Sequence, residues 1–171
     1  ERLTIPVVRL DRDEAPKAFR FLPELERFTH QPAIRAGDPL VTLDCGDLGR
    51  TGFPDLLRAH AVTGGQLINI DHHQRNDLHK LATINAISYD ASSACEITAD
   101  IIRELGVHVD KQIATNLLAG IYFDTGGFRH SNTTPRVLQL ASQLMAAGGR
   151  LREITRNVSD FRSVTALRLW G

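Results

Sequence analysis

The sequence predicts an α/β domain: a Rossmann-like parallel sheet flanked by helices, more helical toward the C-terminus. Short apolar runs of strand length alternate with stretches of helical period in the first half. Two of those runs end directly at an acidic residue, and in the second half caps and stop glycines punctuate one helical stretch after another. Strands buried on both faces read as continuous apolar runs, which makes a doubly wound sheet the economical solution.

In chain order, residues 3–10 (LTIPVVRL) are short and β-branched and predict a strand. The charged, proline-bearing stretch that follows, through Pro23, cannot be one regular element and predicts a long connection. Residues 39–43 (PLVTL) and 66–70 (QLINI) predict two strands, with a helix opened by Pro54 running to about Val62 between them. Residues 82–87 (ATINAI) predict another strand. Residues 93–105 carry apolar positions at helical spacing and end at Gly106, a stop residue. Asp110 is a suitable cap for a helix to about Tyr122; Thr134 with Pro135 opens another that ends near residues 148–149, and a further helix begins around Leu151.

The chain has 171 residues, 42% hydrophobic and 23% charged, enough for one domain with a core. Twenty Lys and Arg balance 20 Asp and Glu, which excludes the polybasic profile of an unaided duplex-DNA or membrane-surface binder. The C-terminal third departs from that balance, since residues 121–171 hold seven Arg but only Asp124, Glu153 and Asp160. Two cysteines without CxxC spacing argue against a disulfide framework or a structural zinc site. No apolar run approaches the roughly 18 residues of a membrane span, and no signal-peptide pattern opens the chain. A cytoplasmic location is the expectation.

In doubly wound sheets ligands gather at the carboxyl ends of the strands. Asp44 follows one predicted strand and Asp71 another, so both carboxylates are expected to face one crevice. Asp71-His72-His73 places three liganding or titratable groups in succession at a strand end. Imidazole and carboxylate together suit Mn, Fe, Co or Zn better than Mg or Ca. A solvated loop with two surface histidines is the ordinary alternative. In Asp44-Cys45-Gly46-Asp47, Gly46 permits a tight turn, and a carboxylate capping its own turn is the ordinary role there. Asp124 closes an apolar helix, where it opposes the macrodipole unless a cation lies nearby; a glycine pair and a polar loop follow it. Together the three acidic loops match a carboxylate and imidazole metal cluster, and two ions a few ångströms apart are suited to phosphoester hydrolysis.

These residues resemble the DHH phosphoesterases, whose motif stands here as Asp71-His72-His73. LDCGDLGRTG at 43–52, NIDHHQRND at 69–77 and FDTGGFRHSNTTP at 123–135 are most similar to the NrnA-type branch of oligoribonucleases and 3′-phosphoadenosine-5′-phosphate phosphatases, and KAFRFLP at 17–23 also fits. The resemblance implies a divalent metal cofactor, manganese foremost, with two ions in the complete enzyme. It implies that Asp44 bridges the ions, that His72 and Asp124 complete one site, and that Asp71 orients His72 from behind. His73 is implied to reach the scissile phosphate as a catalytic group, with Asp71 beside it. Arg129, Ser131 and Asn132 stand where substrate contacts are expected, and His130 replaces an aromatic residue. The implied partner is short single-stranded RNA or a nucleotide.

The family's first motif, HxxxDxD, is nowhere in the chain, and neither is its Gly-rich C-terminal substrate domain. The expectation is therefore an internal piece of a longer enzyme. Residues 1–158 would form a partial DHH catalytic domain and 159–171 the start of a linker helix. Such a segment alone should bind metal weakly and turn over slowly or not at all, and a homodimer is an option for the longer chain. A non-catalytic nucleotide-sensing module that has lost hydrolysis is the rival reading.

Overall fold

The computed structural model describes residues 6–35 and 37–159. Residues 160–171 of the predicted linker helix, and residues 3–5 of the first predicted strand, lie outside them. A parallel three-stranded sheet has the order β3 (Leu40–Leu43), β4 (Leu67–Asp71), β5 (Ile84–Ile87). Helix α1 (Pro54–Val62) joins β3 to β4, as the alternation predicts. Then come four helices: α2 (Ala94–Glu104), α3 (Lys111–Asp124), α4 (Pro135–Ala146) and α5 (Leu151–Ser159).

The caps read from the sequence at Asp110 and Thr134 are made, and Ser93 supplies a third. The Ser93 side chain accepts from the Glu96 amide, Asp110 from the Gln112 and Ile113 amides, and Thr134 from the Val137 amide. Pro54 and Pro135 stand in the first turns of their helices, and Gly106 takes a left-handed φ of 65° just past α2.

The first predicted strand is shorter than its β-branched run suggests. Of its described residues, 6–10, only Arg9–Leu10 (β1) pair, in parallel with Phe28–Thr29 (β2), as a separate two-stranded ribbon. Val7 and Val8 are more than half exposed, so no core recruits them into a longer strand. The connection through Pro23 contains a 3-10 turn over Lys17–Phe19, whose Phe19 ring meets Phe123 edge-on at 5.4 Å.

Two apolar clusters hold the fold. Leu117, Leu118 and Ile121 of α3 pack with Val137, Leu144 and Ile154, which makes α3 the central helix. Leu57 of α1, Leu67 and Leu78 form the smaller cluster under the sheet. In register, Leu40, Thr42, Leu67, Asn69 and Asp71 share one face, while Val41, Leu43, Ile68 and Ile70 share the other. The expected cover on both faces is incomplete at β3, where Val41 and Leu43 stay 52% and 54% exposed.

Candidate metal centre

Asp44 follows β3 directly, and its amide donates to Ile70 O at 3.0 Å, which carries the β3–β4 register one residue beyond the strand. Its φ of 59° is left-handed, a conformation that Asp and Asn tolerate better than most residues. The following turn brings the Gly46 amide to 2.7 Å from Asp71 Oδ2. Gly46 has a φ of 71°, and a Cβ there would meet the His73 ring at 3.3 Å and Arg50 Nη1 at 3.0 Å. Glycine is therefore needed both for the turn and for the room that His73 occupies. A further tie, Leu48 N to Asp77 Oδ1 at 2.7 Å, pins this loop to the one after β4.

Asp71 is fully buried at the end of β4. Its Oδ1 accepts from the His72 amide at 2.7 Å, the His73 amide at 3.0 Å and His73 Nδ1 at 2.6 Å. Its Oδ2 accepts from Gly46 N and from Asn76 Nδ2, each at 2.7 Å. Burial alone would raise this carboxyl, but the bonds from His73, Gly46 and His72 outweigh it and hold the pKa below the ordinary value. The ring that Asp71 orients is that of His73 and not, as the resemblance implies, that of His72. The His72 ring is held instead by Ala91 O, 3.3 Å from Nδ1.

That contact fixes the chemistry of His72. A carbonyl only accepts, so Nδ1 carries a proton, and in the neutral ring Nε2 presents a lone pair. This lone pair faces Asp44 Oδ1 at 3.2 Å and Asp124 Oδ2 at 3.8 Å. Two carboxylates and an imidazole nitrogen thus converge in a half-buried crevice, an arrangement that a shared proton or a metal ion stabilises. The electrostatics respond accordingly. The Asp44 carboxylate, against the cost of burial, raises the His72 pKa, and burial first, then repulsion from Asp44, pushes Asp124 up to about 6. Asp124 is the last residue of α3, where the helix dipole adds to the demand for positive charge.

Asp44, His72 and His73 offer ligand atoms within 4.8 Å of one another, a group able to hold a metal ion. His73 Nδ1 lies 3.7 Å from Asp44 Oδ1 but is already committed to Asp71, whereas His72 Nε2 has only carboxylates before it. The donor set of two carboxylates and one imidazole fits a first-row divalent ion such as manganese.

Of the remaining sequence candidates, Arg129 turns its Nε back to Gly126 O at 2.7 Å, and Ser131 is exposed. Asn132 Nδ2 joins Ser92 O at 3.1 Å to Asp124 O at 3.3 Å, so this residue braces the end of α3. Its Oδ1 is buried without a protein partner. His130 Nδ1 lies 3.2 Å from Asp124 O, with its ring over Gly126. Arg50 escaped the sequence reading. Its Nη1 lies 3.5 Å from His73 Nε2, and its place in the glycine-flanked turn six residues after Asp44 was the available signal.

A parallel sheet with an Asp-His-His segment at a strand end and a second carboxylate facing it defines the class. The chain belongs to the DHH family: the DHH family N-terminal domain matches residues 4–121. A bifunctional oligoribonuclease and PAP phosphatase NrnA from Thermus thermophilus is 34% identical over 160 residues, covering 92% of this chain and 46% of that protein. An A-adding tRNA nucleotidyltransferase from Aquifex aeolicus is 32% identical over 96 residues, 56% of this chain and 11% of its own. The crystal structure of an exopolyphosphatase-related protein from Bacteroides fragilis shares the fold, with a TM-score of 0.80 and 24% identity over 94% of this chain and 49% of that one. The chain thus spans about half the length of the Thermus and Bacteroides proteins, or less. Among the described residues, no helix is long and apolar enough to cross a membrane.

The shifted groups predict a pH-dependent effect of metal on stability. A carboxyl whose pKa rises on folding, as Asp124's does to about 6, contributes stability that is complete below its unfolded value of 3.8 and is lost as pH rises through about 6. The raised His72 acts in the same sense. A divalent ion replaces those protons, so manganese should raise the melting temperature more at pH 8 than at pH 5. At 100 times Kd the gain is about 2.7 kcal/mol. Thermal melts with and without manganese at the two pH values check this; equal shifts would contradict it.

Proposed function

We propose that this chain is the metal-binding part of a phosphoesterase that hydrolyses short oligoribonucleotides, 3′-phosphoadenosine-5′-phosphate, or both. The observation that carries the reading is the convergence of Asp44 Oδ1 and Asp124 Oδ2 on His72 Nε2, with His73 beside them. The likeness to the Thermus protein supports the choice of substrates. Asp44, His72 and Asp124 would hold one divalent ion, manganese foremost, and Asp44 would be shared with a second ion in a dinuclear centre. When bound, such ions supply positive charge to a phosphoryl group and make water a better nucleophile at neutral pH.

The chain's own residues do the rest. Asp71 accepts a hydrogen bond from His73 Nδ1–H, so Nε2 faces outward as an acceptor, with the Arg50 guanidinium nearby. Protonated at Nε2, His73 would donate to a phosphoryl or leaving oxygen, and Asp71 would stabilise the charge it then carries. Arg50 would add a second donor to the phosphate on the same side. Arg129 and Ser131, in the loop before α4, would contact the nucleotide, and Asn132 would hold that loop against the end of α3.

The test is hydrolysis of an end-labelled short oligoribonucleotide and of 3′-phosphoadenosine-5′-phosphate by the full-length protein, with manganese and with excess chelator. Release of mononucleotide or inorganic phosphate with manganese, abolished by chelator, is the expected result. Nucleotide binding that ignores metal, without turnover, would instead assign a nucleotide-sensing module.

A further inference from the structure

We infer that Asn69 and Asn76 are positioning residues for the site: they form a one-way hydrogen-bond relay from the middle of the sheet to Asp71, and through Asp71 they set which ring nitrogen His73 presents. This rests on the proposed role of His73 as a substrate-facing group. Asn69 interrupts an apolar strand on the face it shares with Leu67 and Asp71, and it is fully buried. Its registered partners across the sheet are Thr42 on β3 and Asn85 on β5, so a polar row crosses all three strands. A buried amide carries a desolvation cost that only full pairing offsets.

The pairing here has a single polarity. Asp71 is an acceptor, so Asn76 must offer it Nδ2, at 2.7 Å. That orientation turns Asn76 Oδ1 toward Asn69, whose Nδ2 donates to it at 3.3 Å. Asn69 Oδ1 then faces Thr42, whose hydroxyl donates at 3.2 Å. No amide in the chain can be reversed without setting like against like, so the order propagates. The relay's last step holds Asp71 so that Oδ1 stays on His73 Nδ1. Asn85 is a side branch. It accepts from Asn69 at 3.3 Å, donates to His79 O at 3.1 Å, and lies exposed, away from Asp71.

Asn69→Asp keeps the shape but removes the donors. Asn76 must then turn its Nδ2 toward the new carboxylate, which brings Asn76 Oδ1 against Asp71 Oδ2. Asn76→Ala removes the link outright from a loop outside the sheet, and it decides the question if the strand variant fails to fold. Asn85→Asp keeps the acceptor and is the control. The readout is the long-range proton–nitrogen spectrum of the imidazoles in the metal-free full-length protein at one pH. Wild type and Asn85→Asp should show the Nδ1–H form of His73, and Asn69→Asp and Asn76→Ala should shift it toward Nε2–H. In turnover, the same two variants should lose about tenfold or more in kcat with KM within about twofold. A folded Asn69→Asp or Asn76→Ala protein with wild-type His73 resonances would overturn the relay. The spectra report on it even if neither substrate is hydrolysed, which separates its failure from that of the proposed activity.

Discussion

Asp44→Asn is expected to abolish saturable manganese binding and to lower hydrolysis by about three powers of ten, equivalent to about 4 kcal/mol of transition-state stabilisation, while the protein stays folded. The substitution isolates charge. Asparagine tolerates the left-handed φ of 59° as well as aspartate does, so the turn into Gly46 survives. The side chain is 46% exposed and Asp44 N keeps its bond to Ile70 O, so little packing is lost. What disappears is the negative charge opposite His72 Nε2, which also raises the His72 pKa and pushes Asp124 up. Without it, both groups should relax toward their ordinary values. Calorimetric manganese titration, turnover and a thermal melt on the same variant check the three parts. Unchanged metal affinity would mean that the ion sits elsewhere.

Asp71→Asn is expected to act on stability as well as on turnover, since every lone pair of this buried carboxylate is committed. An amide has one acceptor oxygen. If that oxygen serves the His72 and His73 donors, the new NH2 faces Gly46 N and Asn76 Nδ2; if it serves those, the NH2 faces His73 Nδ1 and two amides. Either way at least two buried donors lose their acceptor. At about 1–3 kcal/mol each, the loss should be about 3 kcal/mol or more. In a domain of this size that lowers the melting temperature by about 10 °C, and kcat should fall about 10- to 100-fold. Manganese affinity should fall less than in Asp44→Asn, because Asp71 faces His73 and the loop amides instead of the crevice. Equal loss of affinity in the two variants would contradict the division of roles.

Where chain-local chemistry decides an element, the sequence was a sufficient guide. The caps at Asp110 and Thr134 and the prolines at 54 and 135 define helix starts by their own hydrogen bonds and fixed φ. The strand-end rule likewise put Asp44 and Asp71 at one edge of the sheet. The residues that escaped depend on what lies across from them. Residues 3–10 read as a strand, but in the described part of the run only two residues find a partner, at Phe28–Thr29. Asn69 carries no signal until its register with Thr42 and Asn85 is known. Which histidine Asp71 holds follows from ring orientation, and ring orientation from Ala91 O, a backbone atom that no side-chain pattern announces.

In the proposed centre Asp44, His72 and Asp124 share one divalent ion. Its most direct test is anomalous diffraction at the manganese edge from crystals of the full-length protein grown with manganese. An anomalous peak is expected within bonding distance of Asp44 Oδ1, His72 Nε2 and Asp124 Oδ2. A fully occupied ion elsewhere, with the His72 ring still against both carboxylates, would contradict it.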